Sequence, residues 1–337
     1  MARIALNGLG RIGKLALRRL IDEGFGDQIV LINEPSGDLD QHALLIEFDT
    51  VHGRWPCDIA TSENGLMVNG HPMTFTQHST IEDLPLAELS VDLVIDCTGV
   101  FKSEAKVAPY YATGVKKVIV SAPVKDTGAL NLVYGVNHDR YNAATHDLIT
   151  AASCTTNCLA PVVKVVHENL GIRHGQITTI HDPTNTNVVV DAAHKDLRRA
   201  RSAMLSLQPT TTGSATAIAL IYPELKGRLN GHAVRAPVLN ASLTDCVFEL
   251  QRATTEDEVN ALFAAAAAGP LAGILGYETR PLVSVDYAND TRSSIIDAPS
   301  TMITDGTLLK VYAWYDNEMG YACRMVDLAN QVIAAEG

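Results

Sequence analysis

A few residues into the chain, Arg3-Ile4-Ala5-Leu6-Asn7 forms a short apolar run that closes on a glycine, and from Ile12 to Leu20 apolar residues recur at helical spacing. The pattern predicts a buried strand, a tight turn and an amphipathic helix. Gln28-Ile29-Val30-Leu31-Ile32-Asn33 predicts a second strand. Val91–Gly99 and Lys117–Pro123 are near-continuous apolar runs of the kind found in parallel strands covered on both faces, each closing on small or polar residues. Between them Ser103-Glu104-Ala105-Lys106 opens a helix, so strand and helix alternate to about residue 150. That order defines an α/β domain with a doubly wound parallel sheet.

The pattern changes from Gln176 onward. Gln176–His181, Ala233–Pro237, Ala241–Leu250 and Thr307–Tyr315 predict strands of mixed alternation, and alanine-rich Glu256–Ala268, stopped by Gly269-Pro270, predicts a covering helix. A second, α+β domain with a mostly antiparallel or mixed sheet follows. The expected division is 1–151 for the first domain, 152–318 for the second, and 319–337 for a C-terminal helix returning to the first domain.

Gly8-Leu9-Gly10-Arg11-Ile12-Gly13 lies between the first strand and the first helix. Glycines there make the turn, let the backbone approach a pyrophosphate and allow close helix–strand packing. Glu34 ends the second strand about 20 residues beyond the last glycine, where a carboxylate accepts from adenosine ribose hydroxyls. Thr98, Gly99 and Ser121 end the next two strands, where ligands gather in such sheets.

Ser153-Cys154-Thr155-Thr156-Asn157-Cys158 follows an apolar run and precedes a predicted helix. A thiol in the first turn of a helix meets unpaired N–H groups and the positive end of the helix dipole, which favours the thiolate. Cys154 is the candidate nucleophile, and Ser153 a natural N-cap.

With 337 residues and a net charge of −12, the chain suits a two-domain protein that does not use nucleic acid as its main partner. Its six cysteines form no regular framework and no Cys-x-x-Cys pair, which fits a reducing compartment without a metal site. No apolar run reaches the ~20 residues that span a bilayer, and the first eight residues are too short and too soon broken for a signal peptide. The expectation is a cytoplasmic protein without membrane contact. His194-Lys195-Asp196-Leu197-Arg198-Arg199-Ala200-Arg201 is locally basic; it fits either a small-anion site or a subunit-facing surface.

Taken together, Asn7–Gly13, Asp49-Thr50-Val51-His52-Gly53, Ala152–Pro161 and Trp314-Tyr315-Asp316-Asn317-Glu318-Met319-Gly320-Tyr321 resemble the phosphorylating glyceraldehyde-3-phosphate dehydrogenases along essentially the whole chain. The resemblance implies a Rossmann domain for NAD, a Cys154 nucleophile and a His181 base. For NAD it implies Gly8, Gly10, Arg11, Ile12, Gly13, Glu34, Thr98, Gly99 and Ser121, with Asn317 orienting the nicotinamide carboxamide and Tyr321 nearby. For the substrate phosphate it implies Thr184 and Arg235. For the attacking phosphate it implies Ser153, Thr155, Thr212 and Gly213, with Arg198 or Arg201. Glyceraldehyde 3-phosphate and inorganic phosphate are the implied substrates and a homotetramer the implied assembly.

Two segments depart from the family pattern. After His181 the family commonly has a small residue, an aromatic and Thr, whereas this chain has Asp182-Pro183-Thr184; after Gly213 it has Ser214-Ala215-Thr216 in place of the frequent Ala-Ala-Lys. Both resemble a divergent bacterial subgroup associated with arsenic resistance, in which arsenate replaces phosphate and 1-arseno-3-phosphoglycerate is the product. Glu34 repels a 2′-phosphate and favours NAD. Ala192 and Ala193 stand where NAD-specific members carry bulkier residues, which leaves room for some NADP use. Alternative readings are an erythrose-4-phosphate dehydrogenase, against which Thr212-Gly213 speaks, and a non-catalytic dinucleotide sensor or scaffold.

Overall fold

A computed structural model describes residues 1–63 and 65–336. The chain divides into two packing units: Met1–Ser153 together with the segment from Tyr321 onward, and Cys154–Gly320.

The first unit contains, in order, β1 (Ile4–Asn7), α1 (Arg11–Asp22), β2 (Ile29–Asn33), α2 (Leu39–Glu47), β3 (Ile59–Ser62), β4 (Gly65–Val68), β5 (His71–Thr76), β6 (Leu93–Asp96), α3 (Glu104–Ala112), β7 (Lys117–Val120), β8 (Ala129–Asn131) and β9 (Leu148–Thr150). The sheet order is β3-β4-β5-β2-β1-β6-β7-β9-β8. From β5 to β8 every pairing is parallel, while β3, β4 and β5 pair antiparallel at one edge. Every residue of β1, β6 and β7 is buried, the polar Asn7, Asp96 and Lys117 at their ends included, as in a sheet covered on both faces. Lys117 in β7 is tolerated because its ammonium reaches the Asp147 carboxylate at 2.7 Å and the His146 carbonyl at 3.2 Å.

Local chemistry starts the helices. Asp38 and Gln41 form a reciprocal capping box at α2, and Ser103 accepts from the Lys106 N–H at α3. No side chain caps α1, which follows the glycine turn directly. In that turn Gly8 takes φ +97°, and a Cβ on Gly13 would lie 1.9 Å from the Gly8 carbonyl oxygen, so the close approach of α1 to β1 admits only glycine.

The second unit contains α4 (Cys154–Leu170), β10 (Ile172–His181), β11 (Gln208–Thr211), α5 (Ser214–Ala217), β12 (Leu229–Arg235), β13 (Ser242–Leu250), α6 (Glu256–Ala268), β14 (Leu275–Glu278), β15 (Ser294–Asp297), β16 (Met302–Thr304) and β17 (Leu308–Tyr315). Its sheet runs β11-β12-β10-β13-β17-β15-β14, with β16 paired to β17. β10 pairs parallel with β12 but antiparallel with β13, and β13 antiparallel with β17, so the sheet is mixed. Buried Leu159, Val162, Val163 and Val166 line α4, each worth about 1.5–3 kcal/mol on burial. α7 (Met319–Glu336) closes the described chain. No described helix is long and apolar enough to cross a membrane.

Candidate active site

β9 ends at Thr150, and α4 begins four residues later at Cys154. The connection is tight. Ala152 takes φ +51°, a left-handed conformation that costs a non-glycine residue about 1–3 kcal/mol. It is held there by its N–H, which donates to Thr150 Oγ1 at 3.0 Å, and by its carbonyl, which accepts from the Tyr321 hydroxyl at 3.1 Å. Strain is thus stored immediately before the cysteine.

Within the second unit, strand register gathers the remaining groups. β10 and β12 pair His181 with Arg235, and β13 and β17 pair Ser242 with Tyr315. Cys154 Sγ lies 3.5 Å from His181 Nε2. On the other side of the imidazole, Nδ1 lies 2.7 Å from Asp182 Oδ1 and 2.6 Å from Arg235 Nη1. Arg235 Nη1 also donates to the Asp182 carbonyl at 2.8 Å. The Tyr315 ring meets the His181 ring edge-on at 5.9 Å, and its hydroxyl bonds Thr155 Oγ1 and Thr179 Oγ1, both at 2.8 Å.

The charges follow from this packing. Burial would raise the Cys154 thiol, but the hydrogen bond and charge of His181 outweigh it and hold the thiol below its ordinary value. Burial would lower His181, but the side chains of Asp182 and Cys154, which favour its protonated form, push it up to about 9. The two shifts point the same way: each favours transfer of the proton from sulfur to imidazole. Burial lowers the Arg235 guanidinium from its ordinary value, though not to the point of losing its charge.

Asn317 is also in this unit and is 5 % exposed. The Asp316 carboxylate fixes its turn, accepting from the N–H groups of Glu318 and Met319 at 2.9 and 2.8 Å. The Asn317 amide donates to Asp182 Oδ2 at 3.1 Å, and its oxygen accepts from Ser242 Oγ at 2.9 Å.

Other residues named from sequence stand as follows. Thr155 is buried, with its hydroxyl on Tyr315. Thr184 is exposed and shares a 3.0 Å hydrogen bond with Thr186. Thr212 bonds Ser214 Oγ at 3.1 Å, and Gly213 precedes the short α5. Arg198 reaches the Pro209 carbonyl at 3.4 Å, and Arg201 pairs with Asp191 at 2.6 Å, both arginines being exposed. Ser153, partly buried, belongs to the first unit and immediately precedes Cys154. Arg199, between the two arginines named from sequence, bonds Thr210 Oγ1 at 3.1 Å and is the cluster member whose charge is felt by Arg235. Spacing alone cannot separate three neighbouring arginines. Tyr315 lay within the quoted Trp-Tyr-Asp-Asn segment, but only the pairing of β17 with β13 discloses its contacts.

The first unit assembles the dinucleotide elements. Gly8, Gly10 and Gly13 form the turn into α1. Gly10 is exposed, and nothing lies within 4 Å of where its Cβ would stand, so the backbone is open to a ligand. Ile12 lies in the first turn of α1. Glu34 braces the turn, its Oε2 accepting from the Leu9 N–H at 2.9 Å. Arg11 pairs with Asp49, one contact being 3.0 Å. At the end of β6, Thr98 donates its N–H and hydroxyl to Asp96 Oδ1, and Gly99 takes φ +68°. The Ser121 N–H donates to the Asp96 carbonyl at 2.8 Å. An uncapped helix start behind open glycine backbone, with a carboxylate at the next strand end, fits a dinucleotide.

A doubly wound unit of this kind, joined in one chain to a cysteine and a histidine 3.5 Å apart, defines an NAD-dependent oxidoreductase. Residues 2–104 match the family model described as glyceraldehyde 3-phosphate dehydrogenase, NAD binding domain, and residues 153–317 match that for the C-terminal domain of the same family. The chain belongs to the glyceraldehyde-3-phosphate dehydrogenase family, and its cofactor is NAD. It is 59 % identical over 331 residues to glyceraldehyde-3-phosphate dehydrogenase 3 of a Nostoc species, covering 98 % of each chain. Identity is 47 % over 329 residues to glyceraldehyde-3-phosphate dehydrogenase 1 of Bacillus cereus, with 98 % of each covered. It is also 47 % over 335 residues to the Geobacillus stearothermophilus enzyme, with 99 % of each covered.

Proposed function

We propose that the protein oxidises glyceraldehyde 3-phosphate through a thioester on Cys154 and releases the acyl group to an inorganic oxyanion. The observation that carries this reading is the 3.5 Å approach of Cys154 Sγ to His181 Nε2, with the thiol lowered and the imidazole raised. The thiolate adds to the aldehyde carbon, and His181 Nε2–H gives its proton to the resulting oxyanion, forming a thiohemiacetal. As that hydroxyl loses its proton to Nε2, the carbon loses a hydride and becomes a thioester, a general-base step worth about 10²–10⁴ in rate. The chemistry NAD supplies when bound is to accept that hydride. Gly8, Gly10, Arg11, Ile12, Gly13, Glu34, Thr98, Gly99 and Ser121 would hold it, with Asn317 and Tyr321 toward the nicotinamide. Oxyanion attack on the thioester carbon then expels the thiolate and yields an acyl phosphate.

Arg235, a guanidinium beside the imidazole, and Thr184 suit the substrate phosphate; Ser153, Thr155, Thr212 and Gly213 suit the attacking oxyanion, with a cation from Arg198, Arg199 or Arg201. The acceptor is phosphate or arsenate, and the Ser214-Ala215-Thr216 departure, which removes a lysine, supports the arsenate-linked reading. NADH formation from glyceraldehyde 3-phosphate and NAD, compared without oxyanion and with phosphate or arsenate, tests both. Sustained turnover only with an oxyanion is expected, a preference for arsenate supports the detoxification role, and turnover indifferent to oxyanion refutes acyl transfer. The 189–207 segment exposes Val189, Val190, Leu197, Met204, Leu205 and Leu207, which supports a homotetramer built partly on this apolar surface; light scattering giving the mass of one chain refutes it.

A further inference from the structure

Asp182 stands directly after His181 and is 2 % exposed, and its two carboxylate oxygens divide between two side chains. Oδ1 lies 2.7 Å from His181 Nδ1 and Oδ2 accepts from Asn317 Nδ2 at 3.1 Å. The Asp182 N–H donates to Ser242 Oγ at 3.3 Å, and the same hydroxyl donates to Asn317 Oδ1, so backbone and side chain close a ring of contacts. A carboxylate buried this deeply persists in a fold only when it is paired and hydrogen-bonded. Oδ2 has the Asn317 amide as its hydrogen-bond donor, whereas Oδ1 makes no hydrogen bond and stands beside the imidazole as an ion-pair partner, Nδ1 itself bonding the Asp182 main-chain carbonyl at 2.9 Å.

We propose that Asp182 is a positioning residue that completes a thiol–imidazole–carboxylate triad of Cys154, His181 and Asp182. The Asp182 main-chain carbonyl, 2.9 Å from Nδ1, takes the Nδ1–H and turns Nε2 toward Sγ, while the carboxylate stands 2.7 Å from the same nitrogen as an ion-pair partner. The carboxylate favours the imidazolium, so the proton that leaves Cys154 rests on His181 until the oxyanion of the thiohemiacetal takes it. The inference deepens the reading of Cys154 as nucleophile and rests on it.

The groups facing His181 decide the sign. Cys154 at the start of α4 and Asp182 beyond β10 favour protonation, whereas burial and the Arg235 guanidinium from β12, 2.6 Å from the same Nδ1, oppose it. Tyr315 from β17 contributes a neutral phenol, pushed well above its ordinary value by burial. The balance favours the imidazolium, and Asp182 is the largest of the contributions that do so. Removing its charge leaves Arg235 less opposed, so the imidazole releases its proton more readily and the thiolate loses its counter-ion.

The test is the rate of Cys154 alkylation by iodoacetamide as a function of pH, read on the Cys154 peptide by mass spectrometry, in the wild type, D182N and D182S. No aldehyde is present, so failure of the substrate assignment leaves the readout intact, whereas a wild-type thiol that titrates near 8.5 defeats the nucleophile reading itself. The expected result in folded D182N and D182S is a midpoint raised by about one pH unit or more, which is a tenfold or greater loss of alkylation rate on the acid side. A midpoint unmoved in either folded variant overturns the proposal. Should neither variant fold, the ¹⁵N-detected titration of His181 in C154S decides, because Asp182 is then the remaining named group that favours protonation: a midpoint above the ordinary value of about 6.5 upholds the proposal, and one at or below it overturns it.

Discussion

Replacing His181 with asparagine separates the two roles assigned to the imidazole. The substitution removes the Nε2 atom 3.5 Å from Cys154 Sγ and, with it, the charge that holds the thiol down. Burial and the Asp182 charge then outweigh the Arg235 guanidinium and raise the thiol above its ordinary value of about 8.5, leaving under about 3 % thiolate at pH 7. That is a loss of about thirtyfold, or about 2 kcal/mol, before hydride transfer is considered. Loss of the general base adds a factor of about 10²–10⁴, or about 2.7–5.4 kcal/mol. In H181N, kcat should therefore fall by about 10³ or more. Steady-state NADH formation and Cys154 alkylation are measured side by side at neutral and alkaline pH. Raising the pH should restore alkylation, because the thiolate returns, without restoring kcat, because the base does not. A kcat within about tenfold of wild type would falsify the general-base assignment. Parallel recovery of both quantities would reduce His181 to a counter-ion.

Two further substitutions probe the supports of the site. In Y315F the hydroxyls of Thr155 and Thr179 lose a shared buried partner, which should cost about 1–3 kcal/mol and lower the melting temperature, with a smaller effect on kcat than H181N; an unchanged melting curve contradicts the network. In G13A the new Cβ meets the Gly8 carbonyl, so the glycine turn must open, and NAD affinity measured by fluorescence titration should drop at least tenfold; wild-type affinity shows that the turn tolerates the shift.

Local signals in the chain carried much of this architecture, and the non-local contacts lay beyond them. β1, the glycine turn and α1 are contiguous, each with its own pattern, and α6 is bounded by a Thr255 N-cap and by Gly269-Pro270. The edge strands β3 to β5 were illegible because β3 buries almost nothing and the three hold together by antiparallel pairing. β11, reading Gln-Pro-Thr-Thr, is a strand only because β12 lies beside it. At the site, Cys154 announces itself by its place at a helix start. His181 and Arg235 are brought together by the register of β10 on β12, which no local pattern encodes. Asp182 was visible as a departure from the family, but whether its carboxylate faced solvent, Arg235 or the imidazole depended on the packing of β10, β13 and the turn at Asn317.

If Cys154 carries a covalent acyl intermediate, a single turnover without oxyanion reveals it. Enzyme, NAD and glyceraldehyde 3-phosphate are mixed in the absence of phosphate and arsenate, NADH is followed by rapid-mixing absorbance, and the Cys154 peptide is weighed after acid quench. The prediction is a burst of NADH approaching one equivalent per chain, an acyl adduct of matching stoichiometry on Cys154, and neither in C154S. Oxidation without an adduct, or a burst that survives in C154S, would contradict it.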